Sequence, residues 1–216
     1  MNTIRHAAFS LLASFALLFA AATQAQTPAP ALTEGQHYAV IPNGIPFANA
    51  KGKVEIAEVF GYWCHHCANA QPLVDKWKPR LPKDVDFVYV PAAFDMQDPF
   101  ARAYFAARQL KLPSKLHQDL FRAVHVDGTL PKNASDAELA AFHTRYGVTA
   151  PKFLAAMNSK PVAAQVNWAN KFAKSSEVEG TPTFIVGGKY RVLARTHQDA
   201  LRIAAQLAAQ LRSERR

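Results

Sequence analysis

The chain has 216 residues, 25 Lys and Arg against 16 Asp and Glu, a formal charge of +9 and two cysteines. That length is ample for a substantial core, and two cysteines are too few for the disulfide framework of a small secreted domain. The basic residues are spread out apart from the short tail "RSERR" at 212–216, a pattern of solvated surface rather than of a nucleic-acid site, with at most a weak pull toward anionic lipid.

Arg5 and His6 precede an uncharged apolar stretch, Ala7 to Ala22, and the small-residue site Thr23-Gln24-Ala25. This reads as an export signal cleaved after Ala25. As a membrane anchor the stretch falls short of the roughly 18 to 20 residues that span a bilayer. The chain is therefore expected to work outside the cytoplasm, where disulfides form and persist. Residues 26–36, "QTPAPALTEGQ", read as a flexible leader.

His37 to Ile41 is expected as a short edge strand, ended by Pro42-Asn43-Gly44. Val54 to Phe60, "VEIAEVF", is apolar and branched, as in a strand buried on both faces. A helix is expected from about Cys64 to Trp77, kinked at Pro72, and "VDFVYVP" at 85–91 is the next strand. Strand, helix, strand makes a parallel crossover.

From Pro99 to about Val178 the pattern turns helical. "DPFARAYFAARQL" and "SKLHQDLFRAVH" show apolar spacings of three and four. "SDAELAAFHTRYG" opens with Ser135 and Glu138 in capping-box spacing and stops at Gly147. "APKFLAAMNS" starts on a first-turn proline and is followed by Pro161; "VAAQVNWANKFAKSSEV" closes the set. "TFIV" and "KYRVL" flank Gly187-Gly188, a two-residue hairpin signal. A last helix, about Gln198 to Leu211, is expected to pack through Leu201, Ala204, Ala205, Ala208 and Leu211.

The chemistry centres on "VFGYWCHHCANAQP", residues 59–72. A bridge between Cys64 and Cys67 closes too short a loop to serve mainly as a staple. At a helix start, free N–H groups and the macrodipole favour the Cys64 thiolate, the form that attacks disulfides. Cys64 is expected as the attacking thiol and Cys67 as the resolving one. A hydrogen-bonding or protonated imidazole at His66 adds to that preference, and His65 is a second candidate. Glu58, in phase with Val54, Ile56 and Phe60, is expected buried, with a raised pKa and a proton to exchange with Cys67; at a wet strand edge it has no such role. Pro182 in "EGTPTF" opens a strand, either through a cis bond that offers main-chain groups to a bound peptide or as an ordinary trans turn.

Cys-x-x-Cys after a strand, the Pro182 loop, the hairpin and the last helix together resemble the thioredoxin fold. The long helical insertion makes the chain similar to the DsbA family of exported thiol:disulfide oxidoreductases. The implied fold class is α/β, a thioredoxin fold with an inserted helical subdomain. Residues 26–97 and 179–216 are expected to form the thioredoxin parts, and 98–178 the insertion. The resemblance assigns the nucleophile to Cys64, the resolving cysteine to Cys67, the dipeptide histidine to His66, the buried acid to Glu58 and the cis-proline to Pro182, with a Cys64–Cys67 disulfide. It implies a monomeric oxidase without cofactor. Its partners are reduced or unfolded exported polypeptides and a quinone-linked inner-membrane thiol oxidase (DsbB-like). His65 stands where that family often has proline. Thr181 stands where its oxidases commonly carry an aliphatic residue, and threonine also occurs in isomerase relatives. A disulfide isomerase or reductase is therefore the second reading. A periplasmic metal-binding protein is the third, although helical winding points His65 and His66 away from the cysteine pair.

Overall fold

The structure, a computed structural model, describes residues 30–48 and 52–215, so the expected export signal lies outside the described residues. All named elements belong to one compact unit, Leu32–Arg216. Strands β1 (Tyr38–Val40), β2 (Val54–Phe60), β3 (Val85–Pro91), β4 (Thr183–Val186) and β5 (Tyr190–Val192) form one sheet in the order β1-β5-β4-β2-β3. Helix α1 (His65–Trp77) follows β2, and β2 pairs parallel with β3. Five helices then intervene before β4: α2 (Pro99–Gln109), α3 (Leu116–His125), α4 (Asp136–His143), α5 (Ala150–Met157) and α6 (Lys160–Ser175). Helix α7 (His197–Ser213) ends the fold. This is the α/β architecture expected from the sequence.

Every residue of β2 is buried, as the continuous apolar run requires. Side chains alternate between faces along a strand. Val54 and Ile56 pack with Val74 of α1 and with Leu201, Ala204 and Leu207 of α7. Ala57 and Val59 join the larger core built by α2 to α6. The sheet is thus covered on both sides, and the β2–α1 junction lies where the two cores meet.

Glu55 is a buried member of this strand that the sequence pattern did not single out. Its carboxylate accepts hydrogen bonds from the N–H groups of Phe47 (2.5 Å) and Ala48 (2.7 Å), fastening the preceding loop to the sheet. Burial raises its pKa, against the pull of those two N–H donors.

Local signals explain most helix boundaries. The Ser135–Glu138 capping box forms in both directions, and Gly147, with φ of 78°, ends the turn that follows α4. Pro161 does not separate α5 from α6. It lies in the first turn of α6, which Ser159 caps and which ends at Ser175 rather than Val178. The buried face of α7 is also turned slightly from the expected one: Ala205 is half-buried, while Ile203 and Leu207 are buried. The larger side chains draw the core-facing stripe toward themselves and leave Ala205 at its margin.

The β4–β5 connection is Gly187-Gly188-Lys189, one residue longer than the expected two-residue loop because Val186 pairs with Tyr190. Both Gly187 (φ 61°) and Gly188 (φ 70°) lie in the left-handed region that its turn requires. A Cβ on Gly188 would also collide with the Ile45 carbonyl and the Pro46 nitrogen. Gly188→Ala should therefore cost about 1 to 3 kcal/mol by denaturant unfolding, whereas a wild-type midpoint would show that the turn can shift freely.

Candidate active site

Cys64 is the N-cap of α1, in extended backbone with φ −85° and ψ 117°. It follows directly on the strand β2 and its short exit Gly61-Tyr62-Trp63, so the sheet and the helix start fix it jointly. Gly61 is required there because a Cβ would run into the indole of Trp63. No strict cap hydrogen bond closes onto the sulfur, yet the N–H groups of Cys67 and His66 are directed at it. Cys64 retains 7% of its exposure and Cys67 none, both as free thiols.

The Cys64 thiol is pulled down to about 4. The largest cause is the Cys67 thiol, which donates a hydrogen bond to the Cys64 sulfur; burial opposes it. The Thr181 hydroxyl and the two N–H groups add to the lowering. Cys67 moves the opposite way, far above an ordinary thiol, because it is buried and already faces the Cys64 sulfur. A charged thiolate and a retained proton thus sit side by side.

Thr181 and Pro182 reach this point from far along the chain. The Thr181–Pro182 peptide bond is cis, and the Cys64 sulfur lies 3.3 Å from the Thr181 carbonyl oxygen. That carbonyl accepts from a neutral thiol; toward the thiolate it is the Thr181 hydroxyl that donates.

Glu58 is buried on β2, on the α1 and α7 side, opposite Tyr89 of β3. Burial pushes its carboxyl up to about 8, with Lys78 pulling down and Asp75 pushing up. Its Oε2 has no hydrogen-bond partner among the described residues. The carboxyl is therefore mostly protonated at neutral pH.

His65 and His66 are exposed, with ring centroids 3.8 Å apart. What His66 directs at the sulfur is its backbone N–H; its ring instead faces His197, 6.4 Å away. Among the described residues no three His, Cys, Asp or Glu side chains are grouped to hold a metal ion.

His197, at the first position of α7, was not singled out from the sequence. Burial and the neighbouring His66 lower its pKa, while the Cys64 thiolate raises it. The Thr196–Asp199 pair caps this helix through the Thr196 hydroxyl, and that spacing was the available signal for a helix start beside the site.

With this geometry in place, comparison with known proteins is decisive. The model of the DSBA-like thioredoxin domain matches residues 55–206. The chain belongs to that family. It is 34% identical over 201 residues to the thiol:disulfide interchange protein DsbA of Azotobacter vinelandii, covering 91% of this chain and 92% of that one. The DsbA of Bordetella pertussis is 35% identical over 212 residues, covering 94% and 96%. Among solved structures, the oxidoreductase DsbA from Xylella fastidiosa superposes with a TM-score of 0.81 at 40% identity, over 84% of this chain and 98% of that one. Family membership confirms the thioredoxin fold with a helical insertion and makes this chain a thiol:disulfide oxidoreductase.

Proposed function

We propose that the chain is a dithiol oxidase that introduces disulfides into exported proteins through Cys64 and Cys67. The observation that carries this reading is the opposed pair of sulfurs: a Cys64 thiol pulled down to about 4 beside a buried, proton-retaining Cys67. A stabilised Cys64 thiolate favours the reduced protein, which makes its disulfide form a strong oxidant. An acidic cysteine with an oxidising couple is a known trait of DsbA itself, so its appearance here is agreement with the family rather than a discovery.

A substrate thiolate attacks Cys64 in the disulfide form; the Cys64–Cys67 bond breaks and a mixed disulfide forms. The leaving Cys67 thiolate is a strong base, and the buried Glu58 carboxyl, which holds its proton at neutral pH, is the acid assigned to reprotonate it. A second substrate thiolate then attacks the substrate sulfur of the mixed disulfide and expels Cys64, a good leaving group because of its low pKa. The substrate loses two electrons and the protein gains them. Thr181 and Pro182 present the main-chain loop against which the substrate peptide lies. His66 and His65 form the outer rim, His66 acting on the sulfur through its backbone.

Reoxidation by a quinone-linked inner-membrane thiol oxidase, a periplasmic location after cleavage near Ala25, a monomeric state and an insertion bounded near residues 98–178 complete the proposal. The oxidised protein should drive a reduced two-cysteine peptide to its disulfide; failure to do so while retaining a disulfide would overturn the reading. Titration should also show that the stability advantage of the reduced over the oxidised form is full above pH 9 and shrinks as pH falls toward 4, because the folded Cys64 pKa is depressed from 9.0. A difference that stayed constant with pH would contradict the acidic thiol.

A further inference from the structure

His117 lies on α3, in the helical insertion, and plays no part in the thiol chemistry described so far. It is buried, and its ring is packed among Phe60, Tyr62, Tyr89 and Phe121. Both ring nitrogens are engaged. Nδ1 is 2.8 Å from the Tyr62 hydroxyl, and Nε2 is 3.0 Å from Oε1 of Gln71. Tyr62 stands two residues before Cys64, and Gln71 stands one helical turn after Cys67. One imidazole therefore ties together the two flanks of the redox turn.

The direction of each hydrogen bond follows from its neighbours. Gln71 Nε2 donates to Asp75 Oδ1 and to the Tyr89 hydroxyl, both at 2.9 Å. A carboxylate accepts only, so the amide is oriented with Oε1 toward His117. Nε2 of His117 must then carry the proton, and Nδ1 accepts from the Tyr62 hydroxyl. This is the neutral imidazole, and burial, which lowers the His117 pKa to about 3, keeps it neutral. Both amide hydrogens of Gln71 and both nitrogens of His117 are used. His125, two turns further along α3, adds a second grip: its Nε2 donates to the Tyr62 carbonyl at 2.7 Å.

We infer that His117, supported by His125, is a positioning residue through which the helical insertion holds the Cys64–Cys67 turn in the geometry that favours the dithiol. The inference rests on the redox reading above. This network is complete in the dithiol form, the form in which both thiols are free. Closing the disulfide brings the sulfurs to about 2.05 Å, and any movement of the turn that this requires works against the flanks that His117 ties. Loosening the tie removes an advantage of the reduced state and weakens the couple as an oxidant.

The test compares His117→Leu, His117→Gln and Tyr62→Phe with wild type. The readouts are the equilibrium constant with glutathione and the pH midpoint of Cys64 thiolate absorbance. His117→Leu should shift the equilibrium about tenfold toward the disulfide form and raise the thiolate midpoint by about one unit. His117→Gln, which can still accept and donate, should restore most of both. A purely structural role lowers the unfolding midpoint of reduced and oxidised forms alike and leaves the equilibrium constant unchanged, and that result overturns the inference. If His117→Leu does not fold, Tyr62→Phe decides: it deletes one hydroxyl and should still move the equilibrium in the same direction, and a wild-type constant there refutes the tie. Failure of the redox reading is distinct, since wild type itself would then exchange no disulfide with glutathione.

Discussion

Cys64→Ser should reduce disulfide transfer to the uncatalysed background. A serine hydroxyl stays protonated at neutral pH and cannot share a disulfide, so both the oxidised form and the attacking anion are lost. Cys67→Ser should behave differently. Its Cys64 thiolate still attacks disulfides, but the resolving thiol is missing, so mixed disulfides accumulate and persist. Mass spectrometry of the alkylated proteins separates the two outcomes. Wild-type oxidation rates in Cys64→Ser, or an absence of mixed disulfides in Cys67→Ser, would remove the assigned roles. The asymmetry has a physical origin in exposure: Cys64 retains a little accessible surface at the helix start, and Cys67 retains none.

Glu58→Gln should change both stability and chemistry. A carboxyl with a folded pKa of about 8 against an ordinary 4.5 holds its proton in the folded state after the unfolded state has lost it. Stability therefore falls as pH rises from 4.5 to 8, by about 1.4 kcal/mol per unit. The amide variant lacks this loss. At pH 7 it should be more stable than wild type by about 3 kcal/mol, with the two converging near pH 4. Comparing the two proteins cancels the opposite contribution of Cys64. The same substitution should slow formation of the mixed disulfide if Glu58 has the proposed role of reprotonating Cys67. A stability difference independent of pH would place Glu58 in water; unchanged kinetics would take it out of the proton path.

How much of this was legible in the sequence depended on how local each signal was. The all-buried strand β2 was readable because its apolar run leaves no solvent face, and Glu58 stood out against it. The capping box at Ser135 and the Gly187-Gly188 turn carry their geometry within four residues. Cys64 at a helix start followed from strand and helix patterns on either side. His117 and His125 were not readable as partners of Tyr62, because nothing near them in the chain indicates which loop α3 covers. A clue existed: His117 falls on the apolar stripe with Leu120, Phe121 and Val124, an expensive place for an imidazole without partners. His66 shows the same limit: its residue type points to a ring acting on the sulfur, while the backbone N–H that helix winding also directs there, and the ring's neighbour His197, are not readable from residue type.

The contact between Cys64 and Thr181 spans 117 positions of sequence, with the whole helical insertion between them. In a chain that emerges N-terminus first, both cysteines appear long before Thr181. The 13-residue α1 is itself too short to be firmly helical alone, so neither the amide donors nor the threonine hydroxyl is in place on the emerging chain. The Thr181 hydroxyl, one of the groups that lower the Cys64 thiol, therefore joins the site only when the last third of the chain closes over the first, and the emerging chain lacks that part of what makes the finished site reactive.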